Sequence, residues 1–287
     1  MSATGDAHAG GDPRTHATGG RRRPRLVATD LDGTLVGPEG EISDRTVRAL
    51  QRVEELGVPV VFVTGRPHRW LRDVAERTGR TGLAICANGA TVYDLHTEQV
   101  VAHHPFALEI GLEIARRLRE GLPGAAFAVE TLDGYAREPD YQARWDVGME
   151  HTLGPIDDIF TDATVKLLVR HESMDADRLL AAAREIVGDL AELTHSSIGG
   201  LLEVSAAGVS KATTLAELCA DLGISAEDVV AFGDMPNDLA MLAWAGTAYA
   251  VVGAHHEVLA AVELRTADPL DDGVAQVLER IFDLPNP

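Results

Sequence analysis

Short aliphatic and β-branched runs recur along the chain, each closed by a polar or glycine-containing turn and followed by residues at helical spacing. Leu26-Val27-Ala28-Thr29 reads as a buried strand ending at Asp30. A helix follows from its cap Ser43 to the stop at Gly57. Val58 to Val63 is a second strand ending at Thr64, Pro67 sits at a first helical position, and Gly79 closes that helix. Leu83 to Ala87 is a third strand, with Asn88-Gly89 as its turn. The rhythm returns late in the chain. Ser210 caps a helix to about Leu222, Val229 to Phe232 and Ala248 to Val252 are strands, and Leu239 to Ala245 and Asp271 to Phe282 are helices. Strands alternating with helices predict an α/β fold, a doubly wound parallel sheet. Such sheets place ligands at the carboxyl ends of their strands.

The middle breaks the pattern. A helix at Leu108 to Glu120, strands near Ala125 to Val129 and at Thr164 to Arg170, a helix from Ser173 to Val187, and short strands near Leu190 to Thr194 and Leu201 to Val204 make an inserted α+β unit. The expected division is a core of residues 25–90 and 201–287, an inserted domain at 91–200, and a leader at 1–24. That leader is rich in Gly, Ala, Thr and His without apolar periodicity, and reads as disordered. Arg21, Arg22 and Arg23 hint at a twin-arginine export signal, but Asp30 and Asp32 interrupt the apolar run that such a signal needs.

Charge narrows the function classes. With 25 Lys and Arg against 45 Asp and Glu among 287 residues, the net charge is −20. That opposes broad binding to nucleic acid or anionic membranes, which need a positive field. No apolar stretch reaches the roughly 18 residues of a membrane span. Cys86 and Cys219 are far apart and form no Cys-x-x-Cys, so buried free thiols in a cytoplasmic protein are expected.

Four polar clusters fall at strand ends or helix starts. In Asp30-Leu31-Asp32-Gly33-Thr34 the two carboxylates, two positions apart, point the same way in extended backbone and repel unless a cation neutralises them. An all-oxygen set suits Mg²⁺. Thr64-Gly65-Arg66-Pro67 offers a hydroxyl and backbone N–H groups that can hold phosphate oxygens. At Ser210-Lys211 an ammonium in the first helical turn opposes the helix dipole, a conflict that a bound anion would remove. Gly233-Asp234-Met235-Pro236-Asn237-Asp238 adds two carboxylates and an amide at one turn. Taken singly, each cluster also reads as ordinary turn or capping chemistry.

Together, in this order, they resemble the haloacid dehalogenase superfamily, and closely its Cof-type phosphatases with a C2B cap. The matching phrases are Asp-Leu-Asp-Gly-Thr-Leu at 30–35, Thr-Gly-Arg-Pro at 64–67, Asn-Gly-Ala at 88–90, Gly-Val-Ser-Lys at 208–211 and Gly-Asp-Met-Pro-Asn-Asp at 233–238. The resemblance implies a Mg²⁺-dependent phosphatase acting on a small phosphomonoester through an aspartyl-phosphate. It makes Asp30 the nucleophile and Asp32 the acid and base. Thr64 and Lys211 hold the phosphoryl oxygens, helped by N–H groups of Leu31, Asp32 and Gly65. Asp30, Asp234 and the carbonyl of Asp32 are the implied metal contacts. Asn237 contacts phosphate or a metal-bound water, and Asp238 orients Lys211 or the metal shell.

The inserted unit becomes a cap that reads the leaving group, with Asn88, Glu130, Arg137, Arg144 and Lys166 as candidates and Arg66 reaching from the core. The pairs His103-His104 and His255-His256 read as surface histidines, since neighbours point apart in extended chain. Two other readings share these residues. A phosphomutase would return the phosphoryl group to another hydroxyl, and a signalling receiver would keep it on the aspartate. The receiver leaves Asp32 and the inserted domain without a task.

Overall fold

The computed structural model describes residues 23–143, 151–197 and 199–285. In chain order the first half of the core comprises β1 (Leu26–Thr29), α1 (Asp44–Glu55), β2 (Val60–Val63), α2 (Arg72–Thr78), β3 (Leu83–Cys86), β4 (Thr91–Asp94) and β5 (Gln99–His103). A second unit holds α3 (Leu108–Gly121), β6 (Ala126–Thr131), β7 (Tyr135–Arg137), β8 (Thr152–Leu153), α4 (Ile156–Ile159), β9 (Thr164–Arg170), α5 (Ala176–Val187), β10 (Ala191–Thr194) and β11 (Leu201–Ala206). The chain then returns to the core with α6 (Lys211–Asp221), β12 (Val229–Gly233), α7 (Leu239–Trp244), β13 (Thr247–Val251), α8 (His256–Ala261), β14 (Leu264–Thr266) and α9 (Gly273–Phe282).

The core sheet runs β14-β13-β12-β1-β2-β3-β4-β5, parallel from β14 to β3 and closed by the antiparallel β4–β5 hairpin. Both faces are covered, which explains why β1 and β2 are buried at every position instead of alternating. On one side Val27 joins the core of α1, α2 and α9. On the other, Leu26 and Ala28 join α6, α7 and α8. The second sheet, β10-β11-β9-β6-β7-β8, is mainly antiparallel and packs one face on α3 and α5.

Sheet membership moves both expected boundaries. β4 and β5 lie beyond residue 90 yet extend the core sheet, while β11 lies beyond residue 200 yet pairs with β9 and β10 in the second one. The β4–β5 hairpin looked unlike an α/β repeat because antiparallel edge strands need no crossover helix. A second difference concerns Pro67. It opens only the single 3₁₀ turn His68–Trp70, and α2 begins at Arg72. Ser43 does cap α1, accepting from the Thr46 N–H, and Gly79 is left-handed at φ +100° where α2 stops. Among the described residues, no helix is long and apolar enough to cross a membrane.

A close backbone approach sets the start of α6 against the turn after β3. That turn carries Ala87, Asn88 and Gly89 at positive φ, and a Cβ on Gly89 would collide with the Ser210 carbonyl at the start of α6. Thr214 of α6 donates back to the Gly89 carbonyl at 2.8 Å. Gly89→Ala should therefore cost about 2–4 kcal/mol from the clash and the unfavourable φ together. Urea unfolding of the variant checks this, and an unchanged midpoint would contradict it.

Candidate active site

The carboxyl ends of β1, β2 and β12 and the start of α6 meet at one place. Asp30 follows β1 directly, its N–H donating to Phe232 in β12 at 3.0 Å. Lys211 is the first residue of α6, behind a Ser210 cap that accepts from the Thr213 N–H. Its ammonium is fully buried and donates to Asp30 Oδ1 at 2.6 Å and to Asp238 Oδ1 at 2.7 Å. The other Asp238 oxygen accepts from the N–H groups of Asp234 and Met235, both at 3.0 Å. Asp238 thus closes the turn after β12 and fixes Lys211. Asp234 accepts from the Thr34 hydroxyl at 3.0 Å, and its carboxylate occupies the space a Cβ on Gly33 would fill. Gly33, at φ +81°, lets the two acidic loops approach.

Carboxylate oxygens of Asp30, Asp234 and Asp238 lie within 4.8 Å of one another. Were all three carboxyls ionised, the single Lys211 ammonium would leave two negative charges uncompensated there. Burial raises the Asp30 carboxyl well above the usual range, the ammonium opposing it and the neighbouring aspartates reinforcing it. Burial, then the charge of Asp238, pushes Asp234 up to about 7. Burial works against the charged form of Lys211, but Asp238 and Asp30 overcome it and hold its pKa above the usual lysine value. The Asp238 oxygens already accept three hydrogen bonds, so Asp30 and Asp234 have the free lone pairs. A hard divalent cation fits this set in charge and in donor type.

A raised carboxyl pKa has a definite sign. Between the unfolded value near 4 and about 7 the folded chain binds the extra proton, so the contribution of Asp234 to stability falls as pH rises through that window. Without divalent metal, Asp234→Asn should gain about 2–4 kcal/mol over the parent at pH 8 and nothing at pH 4. Unfolding midpoints at the two pH values in a chelating buffer test this. A gain independent of pH would contradict it.

Asp32 lies at the mouth, more than half exposed, with Arg66 forked onto it; Arg66 Nε reaches Asp32 Oδ2 at 2.7 Å. Leu31 is buried in the core, so only its backbone can face the site. The Thr64 hydroxyl accepts from the Arg66 N–H at 3.0 Å. Asn237 donates to Asn88 at 3.1 Å, while Asn237 Oδ1 and Asn88 Nδ2 are buried without a hydrogen-bond partner among the described residues. Gly65 lines the same hollow: a Cβ there would lie 3.2 Å from Asn88 Oδ1, 3.4 Å from Glu203 Oε1 and 3.7 Å from Asn237 Nδ2.

The second unit covers this hollow. Lys166 of β9 donates to Glu203 of β11 at 2.7 Å and to the Gly65 carbonyl at 2.6 Å. Arg69 lies 2.5 Å from Glu130 of β6. Burial works against the Glu203 carboxylate, yet the Lys166 ammonium outweighs it and lowers its pKa. Of the candidates on this unit, Glu130 and Lys166 face the core, whereas Arg137 donates to the carbonyls of Glu138 and Tyr141. Arg144 lies outside the described residues. Sequence reading missed Glu203 and Arg69. Glu203 carried a signal, since in Leu201-Leu202-Glu203-Val204 its flanking Leu202 and Val204 belong to the cap core and put Glu203 on the opposite face.

A family model for haloacid dehalogenase-like hydrolase matches residues 27–278. The chain belongs to that family, in its Cof-type branch. It is 28% identical over 267 residues to the pyridoxal phosphate phosphatase YbhA of Escherichia coli, covering 88% of this chain and 97% of that one. It is 27% identical over 256 residues to the 5-amino-6-(5-phospho-D-ribitylamino)uracil phosphatase YcsE of Bacillus subtilis, covering 88% and 94%. The solved structure of the HAD subclass IIB sugar phosphatase BT4131 shares the fold, with a TM-score of 0.76 at 20% identity, covering 91% of this chain and 100% of that one. The class is thus a hydrolase, and its named relatives are phosphatases.

Proposed function

We propose that the chain is a Mg²⁺-dependent phosphatase of small phosphorylated metabolites that passes the phosphoryl group through Asp30. The observation that carries the reading is the buried Lys211 ammonium held between Asp30 and Asp238, beside Asp234. An aspartate needs no activating base near neutral pH once a cation and an ammonium hold it ionised. Asp30 attacks phosphorus, the bond to the alcohol oxygen breaks, and Asp32 gives that oxygen its proton. In the second half Asp32 takes a proton from water, whose oxygen attacks phosphorus, releasing phosphate and restoring Asp30.

Lys211, Thr64 and the N–H groups of Leu31, Asp32 and Gly65 hold the nonbridging oxygens. Asn237 and Asn88 offer their unpartnered polar atoms to the same ligand. Asp30, Asp234 and the Asp32 carbonyl would hold Mg²⁺, which would compensate charge as one anion attacks another. The cap covers part of the hollow and presents Lys166, Glu203 and Glu130 toward the alcohol part of the substrate. The buried free cysteines fit a reducing, cytoplasmic setting.

Phosphate release from a panel of phosphorylated sugars, pyridoxal phosphate and nucleotide-related monoesters, with and without Mg²⁺, tests the reading. Stoichiometric phosphate without isomerised product, dependent on Mg²⁺, is expected. Turnover that persists in excess chelator would overturn the metal assignment, and isomerised product would favour a mutase.

A further inference from the structure

A second cluster of ligating side chains lies away from this site, on the seam between the two units. Asp177 stands in the first turn of α5 and His195 comes just after β10, both on the cap, while His255 and His256 open α8 on the core. The two adjacent histidines do not point apart as extended backbone would have them. His255 is the cap residue of α8 and His256 its first helical residue, and their rings lie 4.3 Å apart. One ligand atom from each of Asp177, His255 and His256 falls within 4.8 Å of the others.

Ligands about 2.0–2.2 Å from a tetrahedral Zn²⁺ lie about 3.4 Å from each other. His255 Nε2 stands 3.4 Å from Asp177 Oδ1. His195 is buried, its Nε2 lies 2.8 Å from the same Asp177 oxygen, and its ring sits 5.5 Å from that of His255. This is how a second side chain steadies a metal-binding carboxylate. The Glu257 N–H approaches His255 Nδ1 at 3.4 Å, a long contact that gives way when the ring coordinates. Asp177 and His256 are exposed, so an ion can enter from solvent.

We propose that Asp177, His255 and His256 bind one imidazole-preferring dication of the Zn²⁺, Co²⁺ or Ni²⁺ kind, with His195 orienting the Asp177 carboxylate, and that the ion ties the cap to the core. The donor set separates this site from the oxygen-only one at Asp30, since imidazole selects borderline transition metals over Mg²⁺. The tie arises from connectivity, because the ligands come from both units. Its position matters, as the His255 N–H donates to the Asp234 carbonyl at 2.8 Å, so the seam and the acidic loop share a backbone contact.

The test uses the untagged full chain in excess Mg²⁺, titrated with Zn²⁺ by calorimetry and with Co²⁺ by visible absorption. One equivalent bound by the parent, weakened at least tenfold in His256→Ala and retained in Asp30→Asn, is expected. His256 is exposed, so its removal leaves the fold intact. Asp177→Asn, which keeps the side-chain shape, should weaken binding as well. Zn²⁺ should also slow amide hydrogen exchange in α5 and α8 of the parent and leave His256→Ala unaffected. Equal affinity in parent and His256→Ala, or loss in Asp30→Asn alone, overturns the site. Tight binding without slowed exchange overturns the tie.

Discussion

Asp30→Asn should lose phosphate release by a factor on the order of a thousand or more while remaining folded. An amide is nearly the same size as the carboxylate but is no nucleophile toward phosphorus, so chemistry goes and packing stays. The fold has reason to tolerate the change. The carboxyl of Asp30 is buried among Asp238, Asp234 and Asp32, all of which work against its ionisation, and Lys211 keeps Asp238 as its partner. In the absence of metal, the midpoint of thermal unfolding should stay level or rise. Phosphate release and a melting curve on the same preparation check both halves. A variant that is inactive because it is unfolded would not support the assignment, and one with parental activity would refute it.

Lys211→Met should damage stability as well as activity, and that separates it from Asp30→Asn. Methionine keeps most of the volume but leaves the buried carboxylates of Asp30 and Asp238 without the ammonium between them. Breaking a buried ion pair from one side costs about 3–5 kcal/mol. The cost depends on pH with a known sign. The Asp30 carboxyl, already raised by burial, loses the ammonium that opposes that rise and binds its proton more tightly in the folded chain than in the unfolded one, so the deficit shrinks toward pH 5 and is largest above neutrality. Urea unfolding of parent and variant at pH 5 and pH 8 reads this directly. A deficit equal at both values would mean that Lys211 acts by packing alone. Activity should fall at least a hundredfold, because among the described residues no other lysine pairs with Asp30.

Much of this centre is legible in the chain, for reasons that attach to single residues. β1 is an uninterrupted apolar run because both its faces are covered, and its end had to be polar where the sheet stops, which puts Asp30 at an edge. The conflict between Lys211 and the dipole of α6 was visible because a cation at a helix start is locally unfavourable, and the two aspartates it meets resolve it. What escaped is equally physical. Arg69 is held by its ion pair with Glu130 across the seam, which no local pattern encodes, whereas the alternation around Glu203 marked its face but not its partner Lys166. The β4–β5 hairpin and the membership of β11 were misassigned because chain order and sheet order diverge where one unit is inserted in another. His255 and His256 looked like neighbours on extended chain, and only the helix start brings their rings together.

The role of Asp30 is also open to direct chemical capture. Mixing the parent with a substrate carrying labelled phosphate, quenching in acid during the first turnover, and reducing with borohydride converts a phosphorylated aspartate to homoserine. Peptide mass spectrometry should then find homoserine at position 30, with none in the Asp30→Asn variant. Label on a histidine, or turnover with no labelled protein and an unmodified Asp30 at every quench time, would contradict a phosphoryl group passing through this carboxylate.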